Sequence, residues 1–185
     1  MTQYFAPLDD LKFILDDVLK IQELFSLTNF RHANLTLVHD ILISAARLAE
    51  EKISPINSIG DAEGAKLVDG GVYLPSEYSE MWKIICSGGW LGLDLPEENG
   101  GQALPRLLQA AFAEMTNGAC VSFCMLPLMS RAAVRMLLEH GSPHLIEDFV
   151  DDLVSGEVTA TICISEPGSG SDVGRIETRA MPMSD

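Results

Sequence analysis

The amino-acid sequence predicts a mainly α protein: a helical domain followed by the first strand or strands of an incomplete β domain. Three observations point there. Apolar residues recur at helical spacing in successive segments up to about residue 155. β-forming residues gather convincingly only once, in the run TATICIS at 159–165. No convincing second strand follows, since 177–183 is the sole candidate and Pro182 confines it to a sheet edge. One strand alone cannot satisfy its backbone groups. The rest of the sheet is therefore expected on another chain, or in a longer protein of which these residues are a part.

The elements follow in order. Residues 8–25 place Leu8, Leu11, Leu15, Val18 and Leu19 on one helical stripe, with Pro7 in the first turn. Residues 34–51 repeat the pattern through Leu35, Val38, Leu42, Ala45 and Leu48, capped by Asn34 and stopped by Pro55. The Gly- and Asp-rich stretch 58–75 reads as a loop with a short hairpin turning at Asp69-Gly70. A helix after Pro75-Ser76 ends at Gly88-Gly89, and a compact loop then inserts Trp90 and Leu91 into the core and turns at Asn99-Gly100-Gly101. Residues 104–116 form another helix. Residues 121–140 are apolar nearly all round, which predicts a central helix kinked or started by Pro127. Ser142 and Pro143 open an amphipathic helix with Leu145, Ile146, Phe149, Val150, Leu153 and Val154 inward, ended by Gly156.

Composition bounds the function. With 47% apolar residues the chain can bury a sizeable core. A formal net charge of -15 opposes binding to nucleic acid or an anionic membrane. The four cysteines, Cys86, Cys120, Cys124 and Cys163, form no CxxC pair. They read as small buried residues of a reducing, cytoplasmic protein, and no metal site is expected from them or from the scattered His32, His39, His140 and His144. Neither a signal peptide nor a membrane span is expected.

The segment SEPGSGSD, 165–172, has the chemistry of a ligand loop. Gly168 and Gly170 permit positive φ and close backbone approach, while Ser165, Ser169 and Ser171 supply hydroxyls and N–H groups. It is neither a P-loop nor a GxGxxG loop. Residues 143–172 hold seven acids and no Lys or Arg, which speaks against clamping a dianionic phosphate unaided. By itself the loop's signal is weak, and it reads first as an ordinary turn.

Taken together, several stretches resemble the acyl-CoA dehydrogenase family. CISEPGSGSDVGRIETRA, 163–180, is similar to its flavin-contacting strand and loop, TEPxAGSD followed by a Thr. GGWLGLDLPEENGGQALP, 88–105, resembles its GWxGLxxPEExGGxG loop, and Gly141 with LVSGE at 153–157 matches the helix end before the flavin strand. The opening YFAPLDDLKFILDDVL resembles the extra N-terminal helix of a subgroup that includes methylthiopropanoyl-CoA and long-type bacterial dehydrogenases. Gly60-Asp61 and Gly64 fit that subgroup's NRxGDxxG loop, with Ser58-Ile59 in place of Asn-Arg. The resemblance implies an N-terminal helical extension at 1–30, a helical N-terminal domain at 31–157 and the beginning of a middle β domain at 158–185.

It also implies a chemistry: oxidation of an acyl-CoA thioester to the 2,3-enoyl-CoA, with FAD as cofactor and an electron-transfer flavoprotein or similar acceptor. By similarity, Ile162, Cys163, Ile164, Ser165, Gly170 and Ser171 contact the cofactor, and Ser171 also the CoA part of the substrate. Ser165 stands where the family has Thr, and Ile162 where an aromatic is common. Met125, Leu126, Leu128 and Met129 are candidates for an acyl cavity, and equally for plain core. No residue of this chain matches the family's catalytic glutamate. Glu166 is expected to be structural. Such a protein is expected to be a homo-oligomer at full length and inactive as these 185 residues alone. The alternatives are a stand-alone helical interaction module with the same fold, and a related acyl-CoA oxidase.

Overall fold

A computed structural model describes residues 3–181 and 183. It is mainly helical. Helix α1, Leu8–Phe13, widens into a π-helical turn at Ile14–Val18. Leu11 and Leu15 are buried, but Val18 and Leu19 are exposed, contrary to the expected stripe. The wide turn rotates the stripe away, and Lys20, at φ 49°, breaks the helix. Two 3₁₀ turns, Ile21–Ser26 and Thr28–Phe30, lead to α2, Leu35–Leu48.

Asn34 caps α2 as expected, its Oδ1 accepting from the Leu37 N–H at 2.9 Å. Val38, Leu42, Ala45 and Leu48 are buried. Pro55 does not stop the chain. A π-helical turn, Ala49–Ile53, carries it into α3, Ser54–Glu63, whose first turn holds Pro55 where no N–H is needed. The first third of the expected 58–75 loop is therefore helix. Gly60 lies inside α3 because the Tyr78 ring occupies its side: a Cβ there would stand 2.0 Å from the Tyr78 hydroxyl oxygen.

The hairpin is present. Strands β1, Lys66–Val68, and β2, Gly71–Tyr73, pair antiparallel with Val68 opposite Gly71. Asp69 and Gly70 turn it at φ 50° and 81°, the left-handed pair that a two-residue hairpin needs. Helix α4, Ser76–Ser87, buries Tyr78, Met81 and Ile85. In the following loop Leu91, Leu93 and Leu95 are buried, and Trp90 stacks on Phe112 with ring centroids 4.8 Å apart and planes 7° from parallel.

Helix α5, Arg106–His140, is two helical pieces joined at a bend. This accounts for the two separate helices in the sequence pattern. The bend is at Cys120 (φ −159°, ψ 89°), not at Pro127. Tyr78 of α4 fills its inside, with its hydroxyl 2.8 Å from Ser122 Oγ and 3.7 Å from Cys120 Sγ. The second piece is not central. Val121, Met125, Leu128 and Met136 are each about half exposed. Helices α2, α3 and α6 pack against α5. Among the described residues, α5 alone is long and apolar enough to cross a membrane. Within it Leu108, Phe112, Met115 and Phe123 are buried in the larger core, and Arg131 and Arg135 are paired with Asp94.

Helix α6, Pro143–Ser155, is capped by Ser142, whose Oγ accepts from the Leu145 N–H, and ends at Gly156 in the left-handed region. Val150, Leu153 and Val154 face inward, whereas Leu145 and Phe149, expected to do so, are exposed. Only the narrower stripe meets α5. Two apolar clusters result. The larger joins α1 to α4 and α5 as far as Cys124, and the smaller joins Leu95 and Val134 to Val150, Leu153 and Val154.

Candidate functional site

The candidate residues follow α6 directly. Trp82 Nε1 of α4 donates to the Gly156 carbonyl at 3.0 Å, the Val158 N–H to Asp152 at 3.2 Å, and the Ala160 N–H to Ser130 Oγ at 3.3 Å. Ser130 is fully buried in α5, so its hydroxyl ties the segment to the helical body. Beyond Ala160 the chain runs free. The strand expected at 159–165 is not formed, because no partner strand lies beside it among the described residues. The described residues of 177–181 form no strand either, and Pro182 lies outside the described residues. Ile162 is 63% and Ile164 46% exposed, and Cys163 and Ser165 are exposed with them. Cys163 thus departs from the buried role expected of all four cysteines; Cys120 and Cys124 keep it, and Cys86 is half-buried.

The loop after Ser165 is tightly formed. Glu166 and Ser169 exchange two backbone hydrogen bonds, of 2.7 and 3.1 Å. Ser169 is buried and its hydroxyl donates to the Asp172 carbonyl at 2.6 Å, so it braces the loop and is not presented to a ligand. Ser171 and Gly170 are exposed. Neither Gly168 nor Gly170 uses the positive φ open to it. A Cβ at either would meet nothing within 4 Å. Neither turn geometry nor internal packing requires these glycines, and their backbone lies open.

Glu166 has the structural role expected of it. One carboxylate oxygen accepts from the Glu177 N–H at 2.9 Å, and the other from the Thr178 N–H at 2.9 Å and from the Thr178 hydroxyl. These donors, the Thr178 hydroxyl foremost, hold the carboxyl below its usual range. A carboxylate so engaged is a poor base.

The four apolar candidates on α5 separate. Met125 and Leu128 face outward and Met129 is half-buried. Leu126 lines a cleft of about 400 Å³ with Tyr78, Trp82, Ser122 and Phe123. That cleft and two others, of about 590 and 1250 Å³, are lined by no residue from 159 onward. His39 pairs with Asp16 at 2.7 Å, His144 lies 3.3 Å from Asp148, and His32 meets the Gln102 carbonyl.

Two features were not anticipated from sequence. Ser130 is one; a hydroxyl inside an apolar helix, as Ser122 also is, was its only signal. The other is Asp94, whose side chain is 2% exposed between Arg131 and Arg135, with Arg106 at 3.6 Å. Burial pushes its carboxyl up, but hydrogen bonds and charge from Arg131 and Arg135 outweigh this and hold it below 3.8. Arg131 also donates to the Leu91 carbonyl, so the pair locks the 88–105 loop onto α5.

Residues 39–157 match the family model "Acyl-CoA dehydrogenase, N-terminal domain". The chain is 32% identical over 182 residues to the 3-methylmercaptopropionyl-CoA dehydrogenase of Ruegeria pomeroyi, covering 98% of this chain and 31% of that protein. It is 26% identical over 183 residues to a butyryl-CoA dehydrogenase of Syntrophomonas wolfei, covering 97% and 30%. It is 27% identical over 155 residues to the human mitochondrial short-chain specific acyl-CoA dehydrogenase, covering 83% and 35%. The chain thus spans about a third of the length of these relatives.

Proposed function

The chain belongs to the acyl-CoA dehydrogenase family, and from that premise we propose that it supplies the N-terminal helical part and one wall of the flavin pocket of an FAD-dependent enzyme converting acyl-CoA to 2,3-enoyl-CoA. The observation that carries the proposal is the loop after α6. It is held to the helical body through Ser130, it presents neutral donors, and its two glycines are open where nothing internal requires them.

These residues fit one wall of a flavin site. Ile162 and Ile164 offer exposed apolar side chains to a flat ring. Ser165 offers a hydroxyl, a donor placed in advance for developing negative charge. Gly170 and Ser171 offer backbone and hydroxyl to polar parts of cofactor or substrate. FAD, when bound, supplies the hydride acceptor. Removal of the α-proton needs a base, and Glu166 is not it. The base and a cation for the pyrophosphate are proposed to come from regions the relatives have beyond this third of their length. The same proposal extends to the acyl-CoA substrate, an electron-transfer flavoprotein or similar acceptor, assembly into a homo-oligomer, a cytoplasmic location, and division into an extension at 1–30, a helical domain at 31–157 and a β beginning at 158–185.

The test is flavin reduction. A protein carrying this chain together with the relatives' remaining regions is expected to lose absorbance near ~450 nm when an acyl-CoA is added, the cofactor carrying the redox step. No bleaching with any acyl chain length sinks the dehydrogenase assignment. The 185-residue chain alone is expected to show weak or absent FAD binding and no turnover.

A further inference from the structure

We propose that Glu166 is a positioning residue, whose carboxylate closes residues 166–178 into a ring and so holds the Gly168–Ser171 backbone in one preformed ligand-receiving shape. The proposal rests on the flavin-wall reading for what the loop receives, but not for the ring itself.

Both oxygens of Glu166 are engaged, by two amides and one hydroxyl contributed 11 and 12 residues along the chain. Between these points only the short bridge of Glu166 with Ser169, the Ser169 hydroxyl and one 3₁₀ turn at Val173–Arg175 order the segment. The ends of a flexible loop separate readily, and closing it costs entropy that each opening recovers. A three-bond anionic clamp opposes that, since hydrogen bonds to a charged acceptor are stronger than neutral ones. The loop is otherwise remote from both apolar clusters, which contain no residue beyond Ala160. Its shape therefore depends on this carboxylate and not on the core.

The test uses the full 185-residue chain, isotope-labelled for amide exchange, with FAD as the binding probe. The Glu177 and Thr178 amides are expected to exchange about tenfold faster in Glu166→Ala than in the wild type, in line with loss of hydrogen bonds to a charged group. Glu166→Gln, which keeps a carbonyl acceptor, is expected to restore part of the protection. The thermal midpoint should stay within about 2 °C throughout, because the change is at the surface. FAD affinity is expected to follow the same order. Unchanged exchange at Glu177 and Thr178 in Glu166→Ala overturns the clamp. Lost protection with FAD affinity unaltered overturns the positioning role. Where the wild-type chain alone does not hold FAD, exchange at the Gly168–Ser171 amides decides the ring: no acceleration in Glu166→Ala overturns it.

Discussion

The Asp94 carbonyl accepts a 3.0 Å hydrogen bond from Arg135, while its buried carboxylate lies against Arg135 and Arg131 together. Two charges of one sign, one turn apart on α5, thus close on a single opposite charge in the preceding loop. Removing one member of such a cluster leaves the others desolvated without compensation. Asp94→Asn is expected to cost about 3 kcal/mol, measured by urea denaturation. A full replacement, Asp94→Leu with Arg131→Met and Arg135→Leu, should cost less than the single change.

Acid should expose the same cluster. The folded-state pKa of Asp94 lies below the ordinary 3.8. Its contribution is therefore complete above that unfolded value and is lost as pH falls through the folded one. The wild type should lose stability below about pH 4 by a component that Asp94→Asn lacks. Parallel acid-unfolding curves for the two proteins would refute this.

Gly156 admits no side chain. At φ 83° a Cβ would stand 2.2 Å from Cys86 Sγ. Gly156→Ala combines left-handed strain with overpacking, and a loss of roughly 2–4 kcal/mol is expected in denaturant titration.

The Trp90–Phe112 stack should be measurable as a coupling. A double-mutant cycle with Trp90→Leu and Phe112→Leu is expected to return about 1 kcal/mol beyond the separate losses. Strict additivity would mean that the parallel rings only share the same core.

Thiol labelling should divide the cysteines. Cys163 is exposed, while Cys120 and Cys124 are buried and burial pushes Cys124 up to about 11. One fast label at Cys163 is expected by mass spectrometry, with Cys120 and Cys124 reacting only on unfolding.

Much of this fold was legible because local chemistry decided it. Asn34 and Ser142 cap helices, Asp69-Gly70 turns a hairpin and Gly156 ends α6, each through a bond or dihedral that neighbouring residues dictate. What escaped depends on distant neighbours. Pro55 reads as a stop until the π-helical turn before it supplies a fresh helix start. Leu145 and Phe149 read as core until α6 shows which stripe α5 covers. At the candidate site, the residue types were legible but not their division of labour. Ser169 and Ser171 look alike in sequence, yet one is buried as a brace and the other exposed. The anchor Ser130 lies 30 residues from Ala160, beyond any local pattern.

Helix α5 belongs to both apolar clusters, as far as Cys124 in the larger and at Val134 in the smaller. Such a molecule should not open all at once. The lesser cluster is expected to detach first, as a sub-global unit of α6 and the distal part of α5, while α2 and the proximal part hold. Ser130 is in that weaker unit. Each such excursion therefore also releases the tether at Ala160, so the lifetime of the loop's docking is set by the weaker half of the protein and not by its most stable helices.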